Sequence, residues 1–327
     1  MGAGPEHELR KFAVPDELHA ERLDRILVSQ IPEFSRSYLQ QLLEANLVTL
    51  NSTVVTKSSL RPKAGDLVAV ELRPTPQTQA FKPESIPLKV VFEDAHLLVI
   101  NKAAGLVVHP APGNWGGTLL NGLLARDERA CLMPRAGIVH RLDKDTSGLM
   151  VVARSRQAMD ALVRLIAARE VKRQYLALGH RRWSGPECRQ VEAPIGRDPR
   201  NRLRMAVVDL DRNAGKPAST GIRLLQNAEN GCLVECTLQT GRTHQIRVHM
   251  ASLGHPLVAD TTYGGAPAAG LTRQALHAFH LAFIHPITGQ ALDFSAELPA
   301  DMRAALGAWG LSYNGGNQTV SRPVSAL

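Results

Sequence analysis

Four prolines fall within fourteen residues in the stretch PTPQTQAFKPESIP, residues 74–87, and they limit the architecture more than any other feature. Proline has no amide donor for a helix interior or a central strand, and large apolar residues are scarce there. The chain is therefore expected to fold as two units joined by a linker at 74–87. Its 327 residues, 44% of them apolar and 21% charged, supply a core and exclude wholesale disorder. Charge is divided unevenly. Residues 1–80 carry nine basic and ten acidic side chains, whereas residues 81–327 carry 29 and 20, most densely basic at 169–204. Such a surplus suits a polyanionic partner. Aromatics, at 4%, are too few for a platform that stacks base after base.

Four cysteines without a CxxC pair form neither a disulfide framework nor a zinc pattern. The N-terminal MGAGPEHELRKF has no apolar signal core, and Glu6 stands where a myristoylation signal wants Ser or Thr. The longest apolar runs, LLVI at 97–100 and LMVVA at 149–153, are too short for a membrane span, so a cytoplasmic protein is expected.

Residues 10–73 read as a small α+β unit. Helical spacing runs from Glu21 to Val28, and a second helix, capped by Ser35 or Ser37, runs to Ala45 with Tyr38, Leu39, Leu42 and Leu43 on its apolar face. A hairpin turning at Asn51-Ser52 and the strand DLVAVEL follow. Beyond the linker come two strands joined at Glu93-Asp94, a buried strand at 148–153, a helix from Ser155 to Ala168, and the strands VKRQYLALG and GCLVECTLQT. GRTHQIRVHMASLG reads as a helix stopped at Gly254. The tail, 311–327, reads as loose.

Two clusters could hold chemistry. GIVHRLDKDTSGLMVVA, residues 137–153, crowds His140, Arg141, Asp143, Lys144, Asp145, Thr146 and Ser147 between two apolar segments, and the spacing does not choose between Asp143 and Asp145. In LQTGRTHQIRVHMASLGHP, residues 238–256, Gly241 permits close backbone approach and Thr243 can cap. Arg242 at the helix start makes an anion site, to which Arg247 could add a second phosphate contact. The histidines at 244, 249 and 255 lie five and six apart, and a zinc helix needs i and i+4; His277, His280 and His285 likewise read as packing residues. Neither GxGxxG nor GxxxxGK[ST] is present, which argues against NAD and P-loop chemistry.

HRLDKDTSG resembles the signature loop of RluA-type RNA pseudouridine synthases. INKAAGLVVHP, VKRQYLAL, TGRTHQIRVHMASLGHPLVAD and LHAFHLAFIHPITG follow that family's order and extend the likeness over about residues 88–300. Ala103 stands where the family often has Pro, and Ala259 where it often has Gly. ERLDRIL, FSRSYLQQLL and KAGD give the first unit a resemblance to the alpha-L RNA-binding fold. The combined layout is that of the RluD-like synthases of large-subunit rRNA.

The resemblance implies an α+β chain. An alpha-L domain at 10–73 would precede a synthase domain at 88–310, built on a mixed, mainly antiparallel sheet with flanking helices and a central catalytic cleft. It implies isomerisation of uridine to pseudouridine in structured RNA, 23S rRNA or its precursor. Synthesis in tRNA, or RNA binding without catalysis, are the alternatives. Asp143 would be the essential carboxylate, Arg242 the cation held against it, and Tyr175 the ring stacked on the base. Arg141 and Arg247 would contact RNA, and Arg25, Arg36, Lys57, Arg61 and Lys63 would form a phosphate-binding face. His140, Thr146 and Gly148 would support the loop. No cofactor or metal is implied, and a monomer is expected.

Overall fold

Contacts along the chain part between Lys82 and Pro83, inside the proline-rich stretch, and leave two units. The computed structural model describes residues 8–313 except 33, 35, 73–79 and 112. Residues just past the break belong with the second unit. The Glu84 N–H donates to the Asn121 carbonyl, and its carboxylate accepts from the Gly117 N–H at 2.9 Å. The expected linker is thus shorter on this side, because isolated hydrogen bonds, unlike a ladder, tolerate neighbouring prolines.

The first unit contains β1 (Glu8–Ala13), α1 (Leu23–Gln30), α2 (Arg36–Glu44), β2 (Val48–Leu50), β3 (Thr53–Val54) and β4 (Leu67–Leu72), with antiparallel strands in the order β1-β4-β2-β3. Leu23, Ile26 and Leu27 of α1, and Leu39, Leu42 and Leu43 of α2, recur at helical spacing and bury against Val48, Val68 and Val70. Asn51 and Ser52 form the two-residue hairpin with φ of 48° and 68°, the positive pair that a type I′ turn requires. The cap expected from Ser35 or Ser37 falls on side chains outside the described residues.

The second unit is built on one mixed sheet. Its strands are β5 (Val90–Glu93), β6 (Leu97–Lys102), β7 (Ser147–Ala153), β8 (Lys172–His180), β9 (Cys188–Glu192), β13 (Ser219–Asn227), β14 (Gly231–Leu238), β15 (Leu276–Ile284) and β16 (Ala291–Ser295). They lie in the order β5-β6-β7-β15-β8-β14-β13-β9, with β16 also on β15; only β7 and β15 run parallel. A smaller sheet holds β10 (Ile195–Arg197), β11 (Met205–Val207) and β12 (Gly215–Lys216). The helices are α3 (Leu119–Arg126), α4 (Arg156–Ala167), α5 (Gln245–Ser252) and α6 (Ala300–Ala308).

Every residue of β7 is buried because both sheet faces are covered: Met150 and Val152 enter one core cluster, Leu149, Val151 and Ala153 another. Gly148 sits at the parallel pairing with φ of 119°, where a Cβ would fall 2.2 Å from the Ala278 carbonyl oxygen. Only glycine lets β15 approach the end of the 137–146 loop this closely. Ala259 has φ of 60°, a backbone state that favours the glycine expected there.

Two expectations need correction. Thr243 does not cap α5: His244 occupies that position in a left-handed conformation, φ 56°, and the helix starts at Gln245 without a side-chain cap. The Gln245 amide explains this, since its oxygen accepts from the Arg242 N–H at 2.9 Å and the Thr240 hydroxyl at 2.7 Å and winds the segment into a turn. Nor does a loose tail begin at 311. Leu311 is buried and its N–H donates to the Leu306 carbonyl, while the Ser312 N–H donates to Gln226 at 2.9 Å. Residues 314–327 lie outside those described.

Candidate active site

The polar loop between residues 137 and 146 is held from three sides. Lys102, at the end of β6, is buried, and its ammonium donates to the Ala103, Leu106 and Lys144 carbonyls at 2.8, 2.8 and 2.9 Å. His140 Nε2 accepts the Val151 N–H at 3.1 Å. The Thr146 N–H closes a turn on the Asp143 carbonyl at 3.1 Å, and its hydroxyl accepts from Gln274. His140, Thr146 and Gly148 thus all brace the loop or its exit. Burial pushes the Lys102 ammonium down to about 8, against the pull of Asp145 and Asp143. Lys102→Met takes one donor from three carbonyls, of which that of Lys144 keeps the Gly105 N–H, and is expected to lower unfolding free energy by about 2 kcal/mol in urea titrations.

Asp143 projects from this loop with its side chain 15% exposed. Arg247 Nη1 donates to Asp143 Oδ2 at 3.0 Å, while the same guanidinium forks onto Asp260, Nε to Oδ2 at 2.7 Å and Nη2 to Oδ1 at 2.8 Å. Burial opposes the Arg247 charge, but Asp260 and Asp143 outweigh it and raise its pKa. The guanidinium also lies 5.0 Å from the Tyr263 ring centroid. Tyr263 accepts the Met205 N–H at 3.1 Å, and its hydroxyl pairs with His244 Nδ1 at 2.7 Å. His244 Nε2 stands 3.9 Å from Asp143 Oδ1. Burial lowers the His244 pKa, against the pull of Asp143.

The cation against Asp143 is therefore Arg247, not Arg242. The turn at 240–244 points the Arg242 guanidinium at the Pro217 carbonyl, 3.1 Å away, whereas α5 turns Arg247 inward. Arg247 is correspondingly no surface phosphate contact, being 6% exposed and engaged by two carboxylates.

An open cleft of about 750 Å³ lies over Asp143, lined also by His140, Arg141, Arg173, Tyr175, Arg242 and His244. A second hollow of about 390 Å³ shares Arg141, Asp143, His244 and Arg247 and extends to Asp145 and Arg273. Tyr175 is buried on β8 at the cleft wall, and burial pushes its hydroxyl up to about 12, so it remains a phenol at neutral pH. Two residues earlier, Arg173 is equally buried, and that burial lowers its pKa.

Burial first and the Arg173 charge second push His140 down to about 3; burial pushes His277, bonded to the Ser147 hydroxyl, down to about 4. Below the ordinary histidine pKa of about 6.5, the unfolded chain binds protons that the folded chain refuses. Stability is therefore expected to fall as pH drops from 6.5 towards 4. Each such histidine contributes about 1.4 kcal/mol per pH unit within its window. Melting curves at pH 7, 6 and 5 check this, and His140→Gln should flatten the slope by about one proton.

In the first unit, Arg25, Lys57, Arg61 and Lys63 are exposed. Arg36 is committed elsewhere. Its guanidinium donates at 2.6 Å to the fully buried Asp24, which also binds Arg22 and Gln40 and is held well below the usual carboxylate range. A helix cannot bury that carboxylate without cationic partners, and this overrides the expected RNA contact. His249, His255, His277, His280 and His285 bond to Thr220, the His180 carbonyl, Ser147, Asp293 and Asp94. Among the described residues no group of His, Cys, Asp or Glu could hold a metal ion. None of their helices is long and apolar enough to cross a membrane.

Lys102, Arg173, His244, Asp260 and Tyr263 were not singled out from sequence as site residues. Asp260 and Lys102 lie within the motif segments, but nothing in their spacing announces a partner.

Residues 96–252 match the model for RNA pseudouridylate synthase, and residues 21–68 that for the S4 domain. A Nitrosomonas europaea protein named ribosomal large subunit pseudouridine synthase D is 46% identical, over 96% of this chain and 91% of the relative. A Xanthomonas campestris protein of the same name is also 46% identical, over 92% of each chain. Among solved structures, human RNA pseudouridylate synthase domain containing 1 superposes with a TM-score of 0.54 at 27% identity, covering 68% of this chain and 89% of that one.

Proposed function

The chain belongs to the RNA pseudouridine synthase family, and from that premise we propose that Asp143 opens the N1–C1′ bond of uridines in large-subunit ribosomal RNA. The relatives' name supplies the RNA; the pairing of Asp143 with a buried arginine, beside Tyr175 in one cleft, supports the residue. Replacing N1 by C5 at C1′ needs the base detached, turned and rejoined. A carboxylate held in place by Arg247 can either bond to C1′ or take the C2′ proton as the base departs.

A stacked uridine cannot reach that oxygen, so the nucleotide must swing out, at a cost of about a few kcal/mol. In this reading the Tyr175 ring stacks on the extruded uracil, and the exposed Arg141 touches the backbone or fills the vacated space; both line the cleft over Asp143. Residues 10–73 act as an auxiliary grip. Lys57→Ala with Lys63→Ala should reduce the salt dependence of RNA binding by about two counterions while leaving turnover on saturating RNA unchanged.

The test is to delete the gene and map pseudouridines by carbodiimide-dependent reverse-transcription stops. Signals should vanish from large-subunit rRNA and return with the wild-type gene but not with Asp143→Asn. Loss confined to tRNA overturns the ribosomal assignment.

A further inference from the structure

Arg173 and Tyr175 leave β8 on the same face, two residues apart, and line the same cleft, each 5% exposed. Tyr175 has a role in the proposal above; Arg173 has none. Its buried Nε has no hydrogen-bond partner, and among the described residues no carboxylate stands within ion-pair distance of its guanidinium. The cleft offers no spare anion. Six arginines line it (135, 141, 169, 173, 242 and 247) against one carboxylate, Asp143, which Arg247 already engages.

A buried, unpaired guanidinium is costly unless a ligand completes it. Backbone phosphates stay near solvent, where Arg135, Arg141 and Arg169 are exposed. The part of an RNA that can reach Arg173 is the extruded base. We propose that Arg173 is a further catalytic residue, whose guanidinium donates to a uracil carbonyl oxygen and holds the negative charge of the ring while it is detached.

When N1–C1′ breaks, its electron pair leaves with uracil and spreads over N1, O2 and O4. The deficit at C1′ is met by a bond from an Asp143 oxygen or by loss of the C2′ proton to it. After rotation, C5 bonds to C1′ as that bond breaks or that proton returns; C5 then loses its proton and N1 gains one, so product and substrate are isomers. A fixed cation beside O2 or O4 favours the charged stage over the neutral ground state.

The inference rests on the isomerase reading, and one experiment separates the two. Single-turnover consumption of the target nucleotide is measured for wild type, Arg173→Gln, Arg173→Lys and Asp143→Asn, with RNA containing uridine or 5-fluorouridine at that site. The fluorinated ring leaves as a weaker base and needs less help. Arg173→Gln is expected to lose about 10²- to 10³-fold on uridine, at least tenfold less on 5-fluorouridine, with RNA affinity within about threefold. Arg173→Lys should recover part of the rate. Because Gln removes an uncompensated buried charge, its melting temperature should equal or exceed that of wild type. Equal losses on both substrates, a loss expressed in affinity, or a lowered melting temperature each overturn the assignment. Activity in Asp143→Asn instead overturns the assignment of Asp143, and a wild type that consumes no target uridine overturns the isomerase reading beneath it.

Discussion

Asp143→Asn protein is expected to fold and bind RNA yet lose at least about 10⁴-fold in turnover, measured as tritium released from RNA labelled at C5 of uridine. An amide fills the same space and its oxygen can still accept from Arg247, but it neither attacks C1′ nor takes a proton. The fold should tolerate the change because the Arg247 charge stays balanced by the fork to Asp260. A melting temperature within a few degrees of wild type separates lost chemistry from lost structure. Asp145→Asn is the matched control. Asp145 lines only the second hollow, away from Tyr175, and its replacement should leave turnover within about tenfold. Comparable activity in both variants would remove Asp143 from its role.

Local order was readable wherever one short-range rule decides it. The Asn51-Ser52 turn, the apolar stripe of α2 and the Ser155 cap, which accepts the Ala158 N–H at 3.3 Å, follow from hairpin, periodicity and capping chemistry. The continuous apolar run of β7 likewise announced a strand covered on both faces. What escaped depends on distant partners. Arg36 lies twelve residues from Asp24, Arg247 thirteen from Asp260 and 104 from Asp143, and no local pattern states which guanidinium meets which carboxylate. The resemblance implies Arg242, at the start of an expected helix, as the cation against Asp143, and gives Arg247 an RNA contact. The two exchange roles because Gln245 and the left-handed His244 delay the helix by a few residues and rotate both side chains. Lys102 was hidden for a related reason, since a buried ammonium is legible only once three carbonyls converge on it.

The exchange of roles between the two arginines makes the second large prediction. Arg247→Lys keeps the charge but has one point of attachment where the wild type has a fork, so it cannot hold Asp260 and reach Asp143 together. With Asp260 2% exposed, the uncompensated carboxylate should cost about 3 kcal/mol of stability. Turnover should fall by about 10²- to 10³-fold, since the carboxylate loses both its partner and its aim. Arg242→Ala acts elsewhere. Removing a guanidinium bonded to the Pro217 carbonyl at the cleft edge should weaken RNA binding, keep turnover on saturating RNA within about tenfold, and leave stability nearly unchanged. Urea unfolding and single-turnover rates on the two variants discriminate the cases directly. A catalytic collapse in Arg242→Ala with a mild effect in Arg247→Lys would mean that RNA binding rearranges the 240–247 segment and brings Arg242 onto Asp143. The hydrogen bonds from Gln245 to Arg242 and Thr240, together with the Tyr263–His244 pair, oppose that rearrangement, because all of them would have to break first.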